Sequence, residues 1–299
     1  MAEFFLLQEI VRRSLAEDLI YGDRTTDALF PCAIPAMGEL MAKEKLVVAG
    51  LDLCQAVFDA IAPSVQLEVF IGQGKTALPG EKIGVIRGDA RALLKGERTA
   101  LNFMQHLAGI ATHTRRFVDL AHGVNIVDTR KTTPGLRALE KEAVLLGGGL
   151  NHRFHLGDLI LIKDNHIALA GGITHAVSAT RATLSHPLKI EVEVKNMQEV
   201  KEAIESGADI IMLDNMTIPE IKRAVSLIRK KNKTIPIEAS GGINLTNVAE
   251  VAKCGVDMIS IGSLTHSAPA VDISLEIIHD KRNIAGDAPH RPQKNRRRD

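Results

Sequence analysis

Short apolar runs alternate six times with amphipathic segments between residues 124 and 267, and this alternation limits the possible folds more than any other feature. Strand, loop and helix repeated in this way predict parallel βα units, whose strands are apolar throughout because both sheet faces are covered. The predicted strands are NIVDT, DLILIK, IEVEVK, DIIMLD, PIEAS and MISIGS. The predicted helices lie in LRALEKEAVLL, IALAGGITHAVSATRATL, MQEVKEAIESG, IPEIKRAVSLIRKK and LTNVAEVAKCG. Six such units can form an open sheet or a barrel.

The ends of the predicted strands favour the barrel. Each strand run ends in polar or small residues, which are Arg130 and Lys131, Lys163, Glu193, Asp214, Ser240, and Gly262 with Ser263. In an α/β barrel all carboxyl ends of the strands meet at one mouth, where active sites form. An open doubly wound sheet would use only the loops near its switch point. Polar groups distributed over six strands therefore predict a barrel with its site at that mouth.

The flanking segments predict a second layer. Apolar spacing predicts helices over 3–20 and 92–121. Gly109 is expected to mark a break in the second helix or a close helix contact. The polar residues 22–27 predict a turn, with an ion pair between Asp23 and Arg24. Residues 38–91 mix strands, a helix at 51–62 and a tight turn at 78–83. A last helix at 268–278 is expected to pack back on the first domain or across the barrel. The predicted domains are 1–115 with 268–285, and 116–267, followed by a disordered basic tail at 286–299.

Composition excludes several classes of function. The net charge of +1 provides no overall field for nucleic acid or membrane binding, and no window is apolar for long enough to cross a membrane. Three widely spaced cysteines argue against a zinc site or a disulfide framework and favour a cytoplasmic location. The charge run at 296–298 is too short to indicate nucleic-acid binding on its own.

Basic residues cluster at TRK, NHR and KDNH, next to the first two predicted strand ends. Arginine binds carboxylate or phosphate through a planar fork and lysine through a point charge, so Arg130, Lys131, Arg153 and Lys163 suit a substrate with several negative charges. The glycines of GGGLNHR are expected to form a flexible link that delivers His152 and Arg153. The alternative is that the four cations form surface salt bridges with Glu140, Glu142, Asp158 and Asp164.

Carboxylates occupy the next two strand ends. Glu191 and Glu193 are two residues apart on one strand and therefore point to the same face, and Asp214 repeats the arrangement on the following strand. Carboxylate oxygens beside a phosphate-binding mouth suit Mg²⁺. The alternative is an ion pair with Lys163 or Lys189.

Glycine-rich loops follow the last two predicted strands. EASGGIN and SIGSLTHSAP each connect a strand to a predicted helix, so that backbone N–H groups and a helix N-terminus can approach a phosphate. His266 in the second loop can contact phosphate or cap the helix.

In this order, ERTALNFMQHLAGIAT, VDTRKTTPGLRALEKEAV, GGGLNHRFHLGDLILIKDNH, EVEVKN, IIMLDN, EASGGIN and SIGSLTHS resemble quinolinate phosphoribosyltransferases over roughly residues 4–278. The resemblance implies a type II phosphoribosyltransferase fold of the α/β class, with an N-terminal α/β sandwich-like domain and an incomplete, TIM-like α/β barrel. It also implies a homodimer or a hexamer of dimers. The implied reaction converts quinolinate and phosphoribosyl pyrophosphate to nicotinate mononucleotide, pyrophosphate and CO₂ with Mg²⁺, in NAD synthesis.

The resemblance also implies roles for individual residues. Arg98 would reach the site of the neighbouring subunit, and Glu193 and Asp214 would lie on the ribose and metal side. The catalytic residues would be Lys131, Lys163, Glu193 and Asp214. The other substrate-binding residues would be Thr129, Arg130, His152, Arg153, Ser240, Gly241, Gly242, Gly262, Ser263 and His266.

Three rival functions remain at this stage. The chain could be a phosphoribosyltransferase acting on nicotinate, or a related barrel in another pathway such as molybdenum handling. It could also be a non-catalytic protein that binds a phosphate ligand. A monocarboxylate needs fewer cations than this mouth supplies, which favours quinolinate over nicotinate.

Overall fold

The computed structural model describes residues 2–184 and 188–279, which form an antiparallel layer and a parallel layer joined by one long helix. The helices are α1 (Ala2–Leu19), α2 (Arg24–Leu29), α3 (Leu51–Ile61), α4 (Ala90–Leu120), α5 (Arg137–Leu146), α6 (Asp164–Ala170), α7 (Ile173–Thr183), α8 (Met197–Glu205), α9 (Ile218–Lys231), α10 (Val248–Ala252) and α11 (Ser263–His266). The strands are β1 (Pro35–Ala42), β2 (Leu46–Val47), β3 (Gln66–Val69), β4 (Thr76–Ala77), β5 (Lys82–Asp89), β6 (Asn125–Val127), β7 (Ile160–Ile162), β8 (Ile190–Val194), β9 (Ile210–Asp214), β10 (Ile237–Ser240), β11 (Met258–Ser260) and β12 (Ile273–His279). Among the described residues, no helix is both long and apolar enough to cross a membrane.

Six parallel strands form the second layer, as predicted from the alternating runs. Their order is β6-β11-β10-β9-β8-β7, and every neighbouring pair is parallel. β6 and β7 stand at opposite edges of this sheet, and on its free side β6 makes a parallel bridge from Val127 to Leu150. The barrel is therefore incomplete, and the carboxyl ends of its strands share one mouth.

The first layer is an antiparallel sheet of order β12-β1-β5-β3, beside the pair β2-β4. The last strand corrects the predicted helix at 268–278, because β12 pairs with β1 from Ala36 to Ala42. Val271, Ile273 and Leu275 are buried while Asp272 and Glu276 are exposed, so the segment alternates with the two-residue period of a strand. Through this pairing the segment lies against the first antiparallel sheet as far as residue 279. Residues 280–299, including the predicted tail, lie outside the described residues.

Helix α4 joins the two layers. It runs unbroken through Gly109, where an added Cβ would lie 3.1 Å from the Cα of Ala270. The glycine therefore allows the loop before β12 to approach closely, and it does not interrupt the helix. The predicted domain division at residue 115 falls within this helix.

The N-terminal turn is also more ordered than predicted. Asp23 caps α2 by accepting a hydrogen bond from the backbone N–H of Thr26 at 3.0 Å. A side-chain oxygen at this position satisfies one of the free donors of the first helical turn, which explains why a helix starts at Arg24. The partner of Asp23 in this contact is Thr26, where an ion pair with Arg24 was expected.

Candidate active site

A cavity of about 560 Å³ lies at the carboxyl ends of the parallel strands. It receives eleven of the residues predicted from the sequence, which are Thr129, Arg130, Lys131, His152, Arg153, Lys163, Glu193, Asp214, Ser240, Gly241 and Gly242. The volume is within the usual range for small-molecule sites of roughly 300–1,000 Å³. Most of the residues predicted from the strand ends therefore lie around one cavity.

Four predicted residues are not among those that line this cavity. Arg98 is exposed on α4, and Gly262, Ser263 and His266 follow β11. The segment after β11 nevertheless supports the cavity wall, because Thr265 Oγ1 donates a hydrogen bond to the carbonyl of Lys131 at 2.8 Å. A Cβ on Gly262 would lie 2.9 Å from Cδ of Lys131, so this glycine leaves room for the lysine stem.

The loop that carries Arg130 and Lys131 is held by hydrogen bonds to α5. Arg137 donates to Thr132 Oγ1 at 3.0 Å and to the carbonyl of Phe154 at 3.2 Å. The N–H of Thr133 donates to Glu140 at 3.1 Å, and Glu140 is fully buried. These contacts order a polar loop that has no strand partner of its own.

The GGGLNHR segment is packed closely, which corrects the expectation of a flexible link. A Cβ on Gly147 would lie 2.6 Å from the carbonyl oxygen of Ala111. A Cβ on Gly149 would lie 2.9 Å from Val144 and from Thr114. The glycines therefore bring the turn against α4 and α5 and fix the direction in which His152 and Arg153 leave it.

Arg130 and Arg153 form a cationic wall without a carboxylate partner among the described salt bridges. Burial and the neighbouring charge of Arg130 lower the pKa of Arg153. Arg153 donates one hydrogen bond to the carbonyl of Leu159 at 3.0 Å, and the buried Nε of Arg130 has no partner in the described part of the chain. Two guanidinium groups held close together repel one another, so a bound anion would relieve an unfavourable interaction.

The acidic residues predicted to form salt bridges with the basic cluster bond elsewhere. Glu140 contacts His106 at 2.9 Å, and Asp164 contacts Lys195 at 2.7 Å. Asp158 accepts backbone N–H groups of the turn at residues 154 and 155. The surface-bridge alternative is therefore wrong for these three carboxylates. The separate alternative, an ion pair between a strand-end carboxylate and a lysine, holds for Glu193, which lies 2.8 Å from Lys163.

The acidic side of the cavity contains Glu193 and Asp214. Glu193 is buried, and Asp214 is half-buried and accepts a hydrogen bond from the side chain of Asn215 at 2.8 Å. Two carboxylates facing one cavity supply the hard oxygen ligands that Mg²⁺ prefers, with substrate oxygens and water completing its shell. The donor chemistry of these residues therefore fits a magnesium ion.

The glycine loop after β10 has the predicted backbone conformation, but no helix begins directly at the loop as predicted. Gly241 and Gly242 have φ angles of 85° and 64°, in the left-handed region that favours glycine. A Cβ on Gly241 would lie 2.5 Å from Cγ of Asn215. The next helix, α10, begins only at Val248, so a phosphate here would be bound by loop N–H groups and not by the end of a helix. Similarly, α11 has only four residues.

Five residues line the cavity without having been predicted, and they are Leu161, Met212, Asn215, Glu238 and Ser260. Met212, Glu238 and Ser260 are each two positions before a strand-end residue that was predicted. A strand with period two points both residues to one face, so the alternation could have identified them. Applied to β8, this reasoning did indicate Glu191, which is buried below the cavity.

At the cavity wall, His152 contacts two buried carboxylates. Its Nε2 lies 3.2 Å from Glu191 and 3.5 Å from Glu238. Burial lowers the pKa of His152, but the two carboxylates outweigh this effect and raise it to about 9. Burial raises the pKa of Glu191 to about 7. The backbone N–H of Arg153 donates to Nδ1 of His152 at 2.7 Å, and this contact requires an unprotonated Nδ1. A second proton can therefore bind the ring only where that hydrogen bond opens.

Parallel strands that end in a cationic wall, two carboxylates and a glycine loop define a barrel enzyme for a substrate with several negative charges. Comparison with known proteins identifies the family. The sequence models for the N- and C-terminal domains of quinolinate phosphoribosyl transferase match residues 23–108 and 110–276. The chain belongs to the quinolinate phosphoribosyltransferase family.

Individual relatives agree over nearly the full length. A probable nicotinate-nucleotide pyrophosphorylase (carboxylating) of Methanocaldococcus jannaschii is 45% identical, covering 90% of this chain and 96% of its own. A probable nicotinate-nucleotide pyrophosphorylase (carboxylating) of Synechocystis is 42% identical, and the match covers 93% of this chain and 94% of the relative. The solved structure of the nicotinate-nucleotide pyrophosphorylase from Francisella tularensis has a TM-score of 0.86 at 38% identity, covering 91% and 96%. The predicted fold class is confirmed.

Proposed function

We propose that the chain transfers the phosphoribosyl group of phosphoribosyl pyrophosphate to quinolinate, releasing pyrophosphate and CO₂ and forming nicotinate mononucleotide for NAD synthesis. The observation that carries this proposal is the cationic wall of Arg130 and Arg153, with Lys131 and Lys163 in the same cavity. Quinolinate has two carboxylates on adjacent ring carbons, and each can accept a planar guanidinium fork. A monocarboxylate such as nicotinate would leave part of this wall without a counter-charge.

Sugar transfer is assigned to the acidic side of the cavity. As the bond to pyrophosphate lengthens, positive charge develops at the anomeric carbon, and the carboxylates of Glu193 and Asp214 stabilise it. We propose that the same two residues would hold Mg²⁺, which when bound would supply positive charge beside the departing pyrophosphate. The ion pair between Lys163 and Glu193 places a cation between the two halves of the site, where it can contact quinolinate and orient the carboxylate.

Decarboxylation follows from the ring chemistry. Attack by the quinolinate nitrogen on the anomeric carbon makes that nitrogen positively charged. Loss of CO₂ from the adjacent ring carbon leaves an electron pair there, which the neighbouring cationic nitrogen stabilises and a proton then fills. Transfer before decarboxylation is therefore the reasonable order, and the scheme requires no general base among the cavity residues.

The backbone of the glycine loop is proposed to bind phosphate. Ser240, Gly241 and Gly242 line the same cavity as the cationic wall, and both glycines have positive φ, a backbone conformation found in turns that present N–H groups to an anion. Gly262, Ser263 and His266 are proposed to contact the phosphate from the adjacent loop.

We also propose that the active unit is a homodimer, or a hexamer of dimers, in which Arg98 enters the site of the neighbouring subunit. Arg98 is exposed on α4 and is not among the residues that line the cavity of its own chain, which supports this assignment. Mixed dimers of Arg98→Ala and Lys163→Ala chains test it. They should regain part of the activity that each parent lacks, whereas verified mixed dimers without activity would contradict a shared site.

A cytoplasmic location is the last part of the proposal. Cys32, Cys54 and Cys254 are free thiols, which suit a reducing compartment.

The reaction itself is tested by incubating the protein with phosphoribosyl pyrophosphate, Mg²⁺ and either quinolinate or nicotinate. Quinolinate should give equal amounts of nicotinate mononucleotide and CO₂, and nicotinate should give little product. Turnover of nicotinate without turnover of quinolinate would contradict the proposal. Tight binding of substrates without any product would instead support a non-catalytic role.

A further inference from the structure

Four charged side chains are buried beneath the turn that carries His152 and Arg153. Asp128, Glu191 and Glu238 have no exposed surface, and Lys141 is 1% exposed. Buried ion pairs rarely add stability over apolar residues of the same size, because desolvation offsets their attraction. Their concentration under one turn of the active site therefore suggests a positional role.

Asp128 and Lys141 hold the backbone of the turn. The N–H of His152 donates to Asp128 Oδ1 at 2.9 Å, and Lys141 Nζ donates to the carbonyl of His152 at 3.0 Å. Asp128 and Lys141 are also bonded to one another. Both peptide groups of His152 are therefore fixed from the side of β6 and α5.

Glu191 and Glu238 hold the side chain of the same residue. They approach Nε2 of the imidazole from β8 and β10, at 3.2 Å and 3.5 Å. The opposite nitrogen, Nδ1, accepts the backbone N–H of Arg153 at 2.7 Å. Nδ1 is thus hydrogen-bonded to the backbone of Arg153. Nε2 faces two carboxylates that have no hydrogen-bond partner among the described residues, so their contact with the ring is one of charge.

We infer that Glu191 and Glu238 are positioning residues that hold the imidazole of His152 and, through it, aim the guanidinium of Arg153 into the cavity for a substrate carboxylate. The inference rests on the proposed function only for the identity of that substrate. It assigns a task to two buried carboxylates that form no salt bridge with Arg130 or Arg153 in the described part of the chain. The hydrogen bond of the imidazole leads to the backbone of Arg153, and among the described residues no hydrogen bond joins His152 to Ser240, Gly241 or Gly242.

The kinetic test compares Glu238→Gln and Glu191→Gln with Glu39→Gln, which alters a carboxylate paired with Lys82 in the N-terminal sheet. Each of the first two variants should raise the KM for quinolinate about tenfold, the size of effect typical of one lost interaction with a charged group. The KM for phosphoribosyl pyrophosphate should stay within about twofold of the wild-type value, because no described hydrogen bond joins His152 to the phosphate loop. Equal rises in both KM values would indicate a general structural role and overturn the inference.

A second arm needs no substrate and is read on the wild-type protein. With ¹⁵N-labelled histidine, comparison with His152→Gln identifies the signals of His152. Above about pH 9, where the ring is neutral, the expected spectrum shows a protonated Nε2 and an unprotonated Nδ1. A neutral ring with its proton on Nδ1 would exclude the contact with Arg153 and overturn the inference. Zinc bound stoichiometrically by the purified protein would also overturn it, because the ring and carboxylates could then be metal ligands; their ligand atoms all lie within 4.8 Å of one another.

Failure of the proposed function has a different signature. A wild-type protein that does not convert quinolinate refutes the proposed reaction, while the histidine spectrum still decides whether the imidazole is held as described. Conversely, normal wild-type turnover with unchanged quinolinate KM in both glutamate variants refutes only the positioning role.

Discussion

Replacing Asp128 with asparagine should destabilise the protein far more than the loss of a surface charge. Asp128 and Lys141 are 0% and 1% exposed, and Asp128 is the acidic partner of the lysine. Without it, the ammonium group retains the carbonyl of His152 at 3.0 Å and the ring of Phe154 at 5.9 Å, neither of which carries a negative charge. Breaking a buried pair on one side costs about 3–5 kcal/mol. That is a large share of a total stability of roughly 5–15 kcal/mol.

The pair should nevertheless be replaceable as a unit. Desolvation of two buried charges largely offsets their mutual attraction, so the pair adds little stability over neutral side chains of similar size. The double variant Asp128→Asn with Lys141→Met removes both charges and should recover most of the loss.

Urea unfolding of the two single variants and the double variant measures the coupling directly. Glu276→Gln is the matched control, because it breaks an exposed pair with Lys43 and should leave the unfolding midpoint nearly unchanged. A loss below about 1 kcal/mol for Asp128→Asn would refute the reasoning, since one-sided disruption should cost several times more. A double variant no more stable than the worse single variant would refute it as well.

Three further predictions concern the cavity and its loop. Arg130→Ala should raise the KM for quinolinate roughly tenfold to a hundredfold, as expected for loss of a charged hydrogen bond, while the KM for phosphoribosyl pyrophosphate is unchanged. Gly241→Ala should lower the melting temperature more than Gly242→Ala. Both variants place a side chain on a left-handed backbone, which costs about 1–2 kcal/mol of stability, but only the Cβ at position 241 would overlap Asn215. Glu140→Gln should weaken the loss of stability in acid: burial raises the pKa of Glu140, but hydrogen bonds from His106 and Thr133 outweigh it and hold that pKa below its usual value. A lowered pKa stabilises above the unfolded value and loses that contribution as pH falls through the folded value.

Each of these has a control or a contrary result. Arg181→Ala removes an arginine paired with Asp209 away from the cavity and should leave both KM values unchanged. Equal melting temperatures for the two glycine variants would show that Asn215 moves without cost. If the melting temperatures of Glu140→Gln and wild type differ by the same amount at every pH from about 3 to 7, Glu140 makes no acid-linked contribution to stability.

The alternating runs were sufficient to predict the parallel sheet, because strand length and continuous apolar character are local properties of the chain. β12 was predicted wrongly as a helix, although Val271, Ile273 and Leu275 alternate with polar neighbours. Its partner β1 lies more than 230 residues earlier, as the pairing of Glu39 with Glu276 shows, so the pairing itself is not a local signal.

The candidate site was predictable to a similar extent. Strand ends indicated Arg130, Lys163, Glu193 and Asp214 because parallel strands bring their carboxyl ends together. The link through His152 could not be foreseen, since it depends on distances between four elements that the chain brings together only on folding. The close packing of the glycine turn was missed for the same reason, because glycine in a sequence permits both freedom and close approach.

The central claim is that the cationic wall binds a dicarboxylate, and a crystal structure with quinolinate bound tests it most directly. The account predicts one carboxylate within hydrogen-bond distance of Arg130 or Arg153, the other beside Lys131 or Lys163, and the ring nitrogen facing Glu193 and Asp214. Quinolinate bound elsewhere, or bound in the cavity with both carboxylates turned away from the two arginines, would contradict it.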